Sequence, residues 1–198
     1  MYKLTFSPAS PYVRKVMLAA FRSGLDKKLE LLNDDNEIRN KNPLGKIPII
    51  EKSDGDCLFD SRVIIDHFNR EGGGLIPVSG KDRDIVLTRS ALAEGIIDAS
   101  LLVVYSDRYA GGEVPSKMWL DMQIEKIDKS LDFLELDLVN WSNPLGFDAA
   151  NIGLAAALGY LTFRNVRDWK TNRPNIQKWY EDVAFKLPGF NETMPVSP

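Results

Sequence analysis

Asn42-Pro43-Leu44-Gly45-Lys46-Ile47-Pro48-Ile49-Ile50 is a loop that enters a short apolar strand through an X-Pro step. Proline cannot donate to a sheet ladder, so the strand either starts at Pro48 or lies on an edge. A cis bond at Ile47-Pro48, a minority state for X-Pro that goes with tight turns, would turn the Ile47 N–H and C=O outward together. An extended peptide could then pair with both.

Upstream, Lys3 to Phe6 alternates and stops at Ser7-Pro8-Ala9-Ser10-Pro11, which fits a strand followed by a turn. Ser10 before Pro11 is a helix cap with proline at the first helical position. Val13, Val16, Met17, Ala20 and Phe21 then repeat at helical spacing as far as Gly24. Leu29 to Leu32 is a second strand, and a polar segment from Asn33 leads into the loop.

Downstream, Ile47–Glu51 and Cys57–Phe59 flank Lys52-Ser53-Asp54-Gly55-Asp56, the pattern of an antiparallel hairpin. Asp60-Ser61 caps another helix, with Ile64, Ile65 and Phe68 inward, that ends before Gly72-Gly73-Gly74. Beyond the glycines no strand is needed. Asp82–Tyr109 and Val114–Trp141 carry long helical periodicity with Gly111-Gly112 between them, and Ile124, Ile127, Leu131 and Leu134 form one stripe. Ile152–Leu161 is apolar or small nearly all round, as in a helix enclosed on every side. A further helix is expected over Asn175–Lys186, then a tail marked by Pro188, Pro195 and Pro198. The division is an α/β unit over 1–76 and an all-α unit over 82–198.

Composition narrows the chemistry. The 198 residues are 44% hydrophobic and 27% charged with a formal net charge of −3, ordinary for a soluble globular chain and no basis for a nucleic-acid or anionic-membrane partner. Cys57 is the only cysteine and His67 the only histidine. An intrachain disulfide, a thiolate or histidine metal site and a Ser-His-Asp triad are therefore all disfavoured. Cys57 reads as a small buried hydrophobe, His67 as a packing residue and Arg14 as an interdomain or dimer ion pair. No window reaches membrane-spanning length and the N-terminus has no leader pattern, so the expected location is cytoplasmic.

Taken in order, Ser10-Pro11-Tyr12-Val13-Arg14, the Asn42–Pro48 loop, Asp60-Ser61 and Asp148-Ala149-Ala150-Asn151-Ile152 resemble a cytosolic glutathione S-transferase of the bacterial, serine-type kind. The resemblance spans the chain. It implies a thioredoxin-like N-terminal domain that binds glutathione, an all-helical C-terminal domain that lines an electrophile pocket, and a homodimer. Two positions depart from the family pattern: Asp60 stands where Glu or Gln is common, and Asp148 with Asn151 replaces the more frequent Ser or Thr with Asp.

Glutathione brings its own sulfur as co-substrate, so no metal or resident cofactor is implied. A free thiol near pKa ~8.5 is only a few per cent ionised at neutral pH. Ser10, at a helix start, would donate to the thiolate, since a serine hydroxyl is too weak a base to abstract its proton; Ser7 is the rival hydroxyl. Ile47 would offer its backbone to the cysteinyl part beside Pro48. Ser61 and the helix start behind it would take the γ-glutamyl carboxylate, Asp60 the amino group and Lys46 the glycyl carboxylate. Leu102, Tyr105, Ser106 and Tyr109 recur at helical spacing as candidates for the wall facing a small hydrophobic electrophile. Two alternatives stay open: a glutathione-dependent reductase or peroxidase, and a non-catalytic binding protein on the same scaffold.

Overall fold

The computed structural model describes residues 1–33, 36–109, 114, 116–141 and 146–196. Four strands, β1 (Tyr2–Phe6), β2 (Leu29–Asn33), β3 (Ile50–Glu51) and β4 (Cys57–Leu58), form one mixed sheet in the order β2-β1-β3-β4. β1 is the pivot: Leu4 stands opposite Leu31 in a parallel pair and opposite Ile50 in an antiparallel one. A parallel pair needs a crossover, and helix α1 (Pro11–Ser23) supplies it. The Ser10 hydroxyl oxygen accepts the Val13 N–H at 3.3 Å, and Pro11 fills the position where a missing N–H costs nothing. Helix α2 (Ser61–Gly72) starts on Asp60, whose carboxylate accepts the Arg62 N–H at 2.9 Å, and it buries Ile64 and Phe68 completely.

Past β4 the described residues are helical: α3 (Gly80–Arg108), α4 (Lys117–Asp137), α5 (Ala149–Arg164) and α6 (Pro174–Asp182). α5 is buried from Ala149 to Leu161, as its all-round apolar sequence requires. Ile96 and Ile97 of α3 and Ile127 and Leu131 of α4 are likewise fully buried. Each such side chain stabilises the fold by roughly 1.5–3 kcal/mol.

Several boundaries differ from the sequence reading. The strand expected over 47–51 pairs only at Ile50–Glu51, with the Ile49 carbonyl also accepting the Thr5 N–H at 3.0 Å. β4 stops at Leu58, and α2 runs on through Gly72. The helix expected over 114–141 is α4 plus a separate 3-10 turn at Leu138–Asn140, and Ile124 is only half-buried. The helix expected over 175–186 ends at Asp182 and, after Val183, continues only as a 3-10 turn at Ala184–Lys186. Gly111-Gly112 and Pro198 lie outside the described residues. α6 takes its cap from another helix: the Glu135 carboxylate of α4 accepts the Asn175 and Ile176 N–H groups at 2.9 and 3.0 Å.

The sheet layer and the helical layer are joined along α1 and α5. The Ala149 N–H donates to the Leu75 carbonyl at 2.8 Å, and Arg22 Nε to the Phe147 carbonyl at 3.0 Å. About two turns back toward the start of α1, the Arg14 guanidinium lies against Gly159 of α5, where any Cβ would clash with Nη1. Arg14 is thus interdomain, but among the described residues it has no carboxylate partner within the chain: it donates to the Phe190 carbonyl and to Met194 Sδ and rests on the Phe190 ring, and burial lowers its pKa to about 10.

Asp148 and Asn151 form a reciprocal capping box at the start of α5. Burial raises the Asp148 carboxyl above its ordinary range, so its charge costs stability once pH rises through the unfolded carboxylate value. Asp148→Ala should cost about 1–2 kcal/mol. Asp148→Asn, which keeps the acceptor without the charge, should recover most of that loss at neutral pH, read as the urea midpoint at unchanged m-value.

Candidate active site

Between the sheet layer and the C-terminal half of α3 lies a cavity of about 600 Å³. Its floor is the start of α1, with Ser7 and Ser10; one side is the Lys46–Pro48 loop, and another is the start of α2 at Asp60 and Ser61. Two helix N-termini therefore open onto one space, which favours anions there.

The loop is organised by a residue the sequence reading quoted without a role. Asn42 is buried; its amide nitrogen donates to the Lys46 carbonyl at 2.7 Å and its oxygen accepts the Leu44 N–H at 3.0 Å. Gly45, at φ +59°, makes the turn that lets its own N–H return to the Asn42 carbonyl, and its carbonyl receives the Arg39 guanidinium. The Ile47–Pro48 bond is cis, and Phe59–Asp60 is cis as well. Among the described residues no hydrogen bond occupies the Ile47 N–H or C=O. Lys46 is exposed and faces the cavity with no carboxylate partner among the described residues.

Ser10 lines the cavity while its oxygen caps α1, an arrangement that spends a lone pair and leaves its O–H as a donor. Ser7 lines it too, and its carbonyl accepts the Ser10 N–H. Ser61 is fully buried, and its hydroxyl oxygen accepts from Lys15 Nζ at 3.3 Å. Asp60 is already engaged: Arg62 grips it through two guanidinium nitrogens at 3.2 and 2.7 Å, which holds the carboxyl below its ordinary range.

The far wall is α3, and of the four residues expected there Tyr105 and Tyr109 line the cavity while Leu102 and Ser106 do not. Glu94, Asp98, Leu101, Tyr105 and Arg108, spaced four, three, four and three apart, present one face to the cavity, together with Tyr109. Leu102 and Ser106 lie about 100° round the helix from Leu101 and Tyr105 and do not line it; the Ser106 hydroxyl donates to the Val103 carbonyl. Tyr160 and Arg164, one turn apart on α5, complete the wall and were not anticipated.

Two further contacts fix the wall to the floor. Lys15 of α1, only 4% exposed, forms an ion pair with Glu94 of α3 while donating to Ser61 of α2. The Tyr12 hydroxyl donates to Asp98 at 2.5 Å; burial, then Asp98, raises its pKa, so it stays a neutral donor. The available signal was the Glu94/Asp98 spacing, which puts two carboxylates on one helical face. Cys57 and His67 stay outside the cavity: Cys57 is on β4, its thiol pushed up by burial, and His67 packs edge-on against Tyr2 with Nε2 3.2 Å from the Tyr2 hydroxyl.

The chain is similar along its length to known proteins. Residues 4–74 match the family model described as glutathione S-transferase, N-terminal domain. The curated protein named "Uncharacterized GST-like protein YibF", of Escherichia coli (strain K12), is 34% identical, the match covering 98% of each chain. A glutathione transferase family member from Pseudomonas fluorescens Pf-5, solved with bound glutathione, is 36% identical with a TM-score of 0.89 and full coverage of both chains. A second structure described in the same words, with bound S-(propanoic acid)-glutathione, is 38% identical, again at full coverage of both chains, with a TM-score of 0.86.

Glu94→Ala would leave a buried ammonium without its carboxylate. It should cost about 3–5 kcal/mol, whereas the double replacement Lys15→Met/Glu94→Leu should be close to neutral. Urea unfolding of the three chains checks this; equal destabilisation by the single and double variants would show that the pair is not what holds the helices together.

Proposed function

We propose that this chain, which belongs to the glutathione S-transferase family, binds glutathione as co-substrate and holds its sulfur as thiolate with Ser10 for attack on a small, mainly apolar electrophile. The observation that carries this reading is that the Ser10 hydroxyl, the unoccupied Ile47 backbone and the start of α2 all face one cavity. In this reading residues 1–76 bind glutathione, residues 82–198 supply the electrophile wall, and the protein works as a cytoplasmic homodimer in detoxifying conjugation. The described part contains no helix long and apolar enough to cross a membrane.

Glutathione's backbone shape decides the contacts. The cysteinyl amide pairs with the Ile47 N–H and C=O beside Pro48 as an added strand. The γ-glutamyl carboxylate takes the Ser61 hydroxyl and the free N–H groups at the start of α2. Asp60 serves the amino group while keeping Arg62 as its second partner. Lys46 meets the glycyl carboxylate. The thiol then lies at the start of α1, where the Ser10 O–H and the positive end of the helix both favour the anion. The thiol proton leaves to water. The sulfur lone pair forms a bond to the electrophilic carbon, and either a leaving group departs with its electrons or an unsaturated acceptor takes a proton from solvent. The Pseudomonas fluorescens ligand S-(propanoic acid)-glutathione is the kind of S-substituted molecule that such a step produces.

A reductase acting through a protein thiol has no residue to use, because Cys57 lies outside the cavity and burial raises its pKa. Ser10→Ala should keep glutathione affinity within about tenfold while raising the pKa of the bound thiol and lowering turnover. Unchanged kinetics would move the role to Ser7, tested by the parallel Ser7→Ala variant, and absence of turnover in the wild type itself would favour a non-catalytic binding protein. Lys46→Ala should weaken glutathione binding most at low ionic strength. An effect independent of salt would remove Lys46 from the site.

A further inference from the structure

The cavity carries more positive charge than glutathione uses. Five cations line the cavity: Arg39, Lys46, Arg62, Arg108 and Arg164. Arg39 is held on the Gly45 carbonyl and Arg62 on Asp60, and Lys46 is assigned to the glycyl carboxylate. The three carboxylates that line the cavity among the described residues are also engaged, Asp60 by Arg62, Glu94 by Lys15 and Asp98 by Tyr12. Arg108 and Arg164 remain, and neither has a carboxylate partner among the described residues.

Arginine in a last helical turn is favoured by the helix dipole alone, but that does not account for how these two are held. Arg108 lies 5.4 Å from the centre of the Tyr105 ring, and Arg164 lies 4.5 Å from Phe163 and 5.9 Å from Tyr160. Arg164 Nε is buried without a hydrogen-bond partner, a donor that an acceptor oxygen would satisfy. Tyr160 is buried and lines the same wall, and burial raises its pKa, so its hydroxyl remains protonated beside the two guanidinium groups. Tyr105 and Tyr109 meet edge to face at 5.2 Å. The wall therefore combines aromatic faces for an apolar body with two planar forks that lack a carboxylate among the described residues, Arg164 bonding the Tyr160 hydroxyl while its Nε stays unsatisfied.

We propose that the electrophile accepted by this site is an organic acid, its carboxylate received by Arg108 and Arg164 and its apolar body resting on Tyr105 and Tyr109. The inference builds on the glutathione-binding reading above and adds the charge class of the second substrate. A neutral hydrophobic electrophile would leave both guanidinium groups facing an apolar surface, which disfavours it relative to the anion.

The test compares two S-substituted glutathiones that differ by one ring carboxylate, S-(para-carboxybenzyl)glutathione and S-benzylglutathione, by calorimetric titration of the full chain. The wild type should bind the carboxylated adduct roughly tenfold or more tightly at low salt. Arg108→Gln and Arg164→Gln should each reduce that preference, and the double variant should remove it. Affinity for glutathione itself should be unchanged, which also shows that the variants are folded, and affinity for S-benzylglutathione should hold or rise as the charge facing its ring is removed. Arg108→Lys, which keeps the charge without the fork, should retain part of the preference. Equal wild-type binding of the two adducts, or parallel loss of both in the variants, would overturn the proposal while leaving glutathione binding intact. Failure of the wild type to bind glutathione at all would overturn the functional reading and this inference with it.

Discussion

The buried ammonium of Lys15 is the constraint on which the arrangement of the site depends. A charge taken out of water must keep its partners, and those of Lys15 lie on two other helices: the Ser61 hydroxyl at the start of α2 and the Glu94 carboxylate on α3. The contact therefore fixes three elements at once, and they are the ones that bound the cavity. Tyr12, three residues earlier, repeats the device with Asp98 one turn along α3. The floor, which carries Ser10, cannot drift from the wall that carries Leu101 and Tyr105 without exposing or stranding one of these polar pairs.

The same contacts explain why the cavity favours anions although the chain as a whole is acidic. The carboxylates that line it among the described residues are each consumed by a neighbour, while two helix N-termini and several cations remain turned inward. Net charge describes solubility and steering; what a cavity prefers depends on which of its charges are already paired. Thiolate stabilisation by Ser10 fits this setting because the hydroxyl accepts from the α1 backbone and still has its proton to give.

The elements whose residues obey one simple rule were legible in advance. Ser10-Pro11, Asp60-Ser61 and the Asp148/Asn151 box announce helix starts by cap chemistry, and α5 announces its enclosure by lacking a polar face. What escaped notice were residues acting against type. Lysine and arginine are rarely buried, so nothing local marked Lys15 or Arg14 as interior, and among the described residues of the chain Arg14 meets a carbonyl, a thioether and a ring, with no carboxylate. On α3 the expected set divides: Tyr105 and Tyr109 line the cavity, and Leu102 and Ser106 do not. Helices on two sides bury its Ala93, Ile96, Ile97 and Ser100, so apolar spacing does not single out the remaining face. The spacing of its charged and aromatic residues does.

The account stands on the claim that this cavity makes a sulfur anion more stable than it is in water. The direct measurement is the ultraviolet absorbance of the thiolate of glutathione bound to the wild-type protein, followed across pH. The account predicts a bound thiol that titrates clearly below the free value of about 8.5. A bound thiol that titrates at or above that value would contradict it.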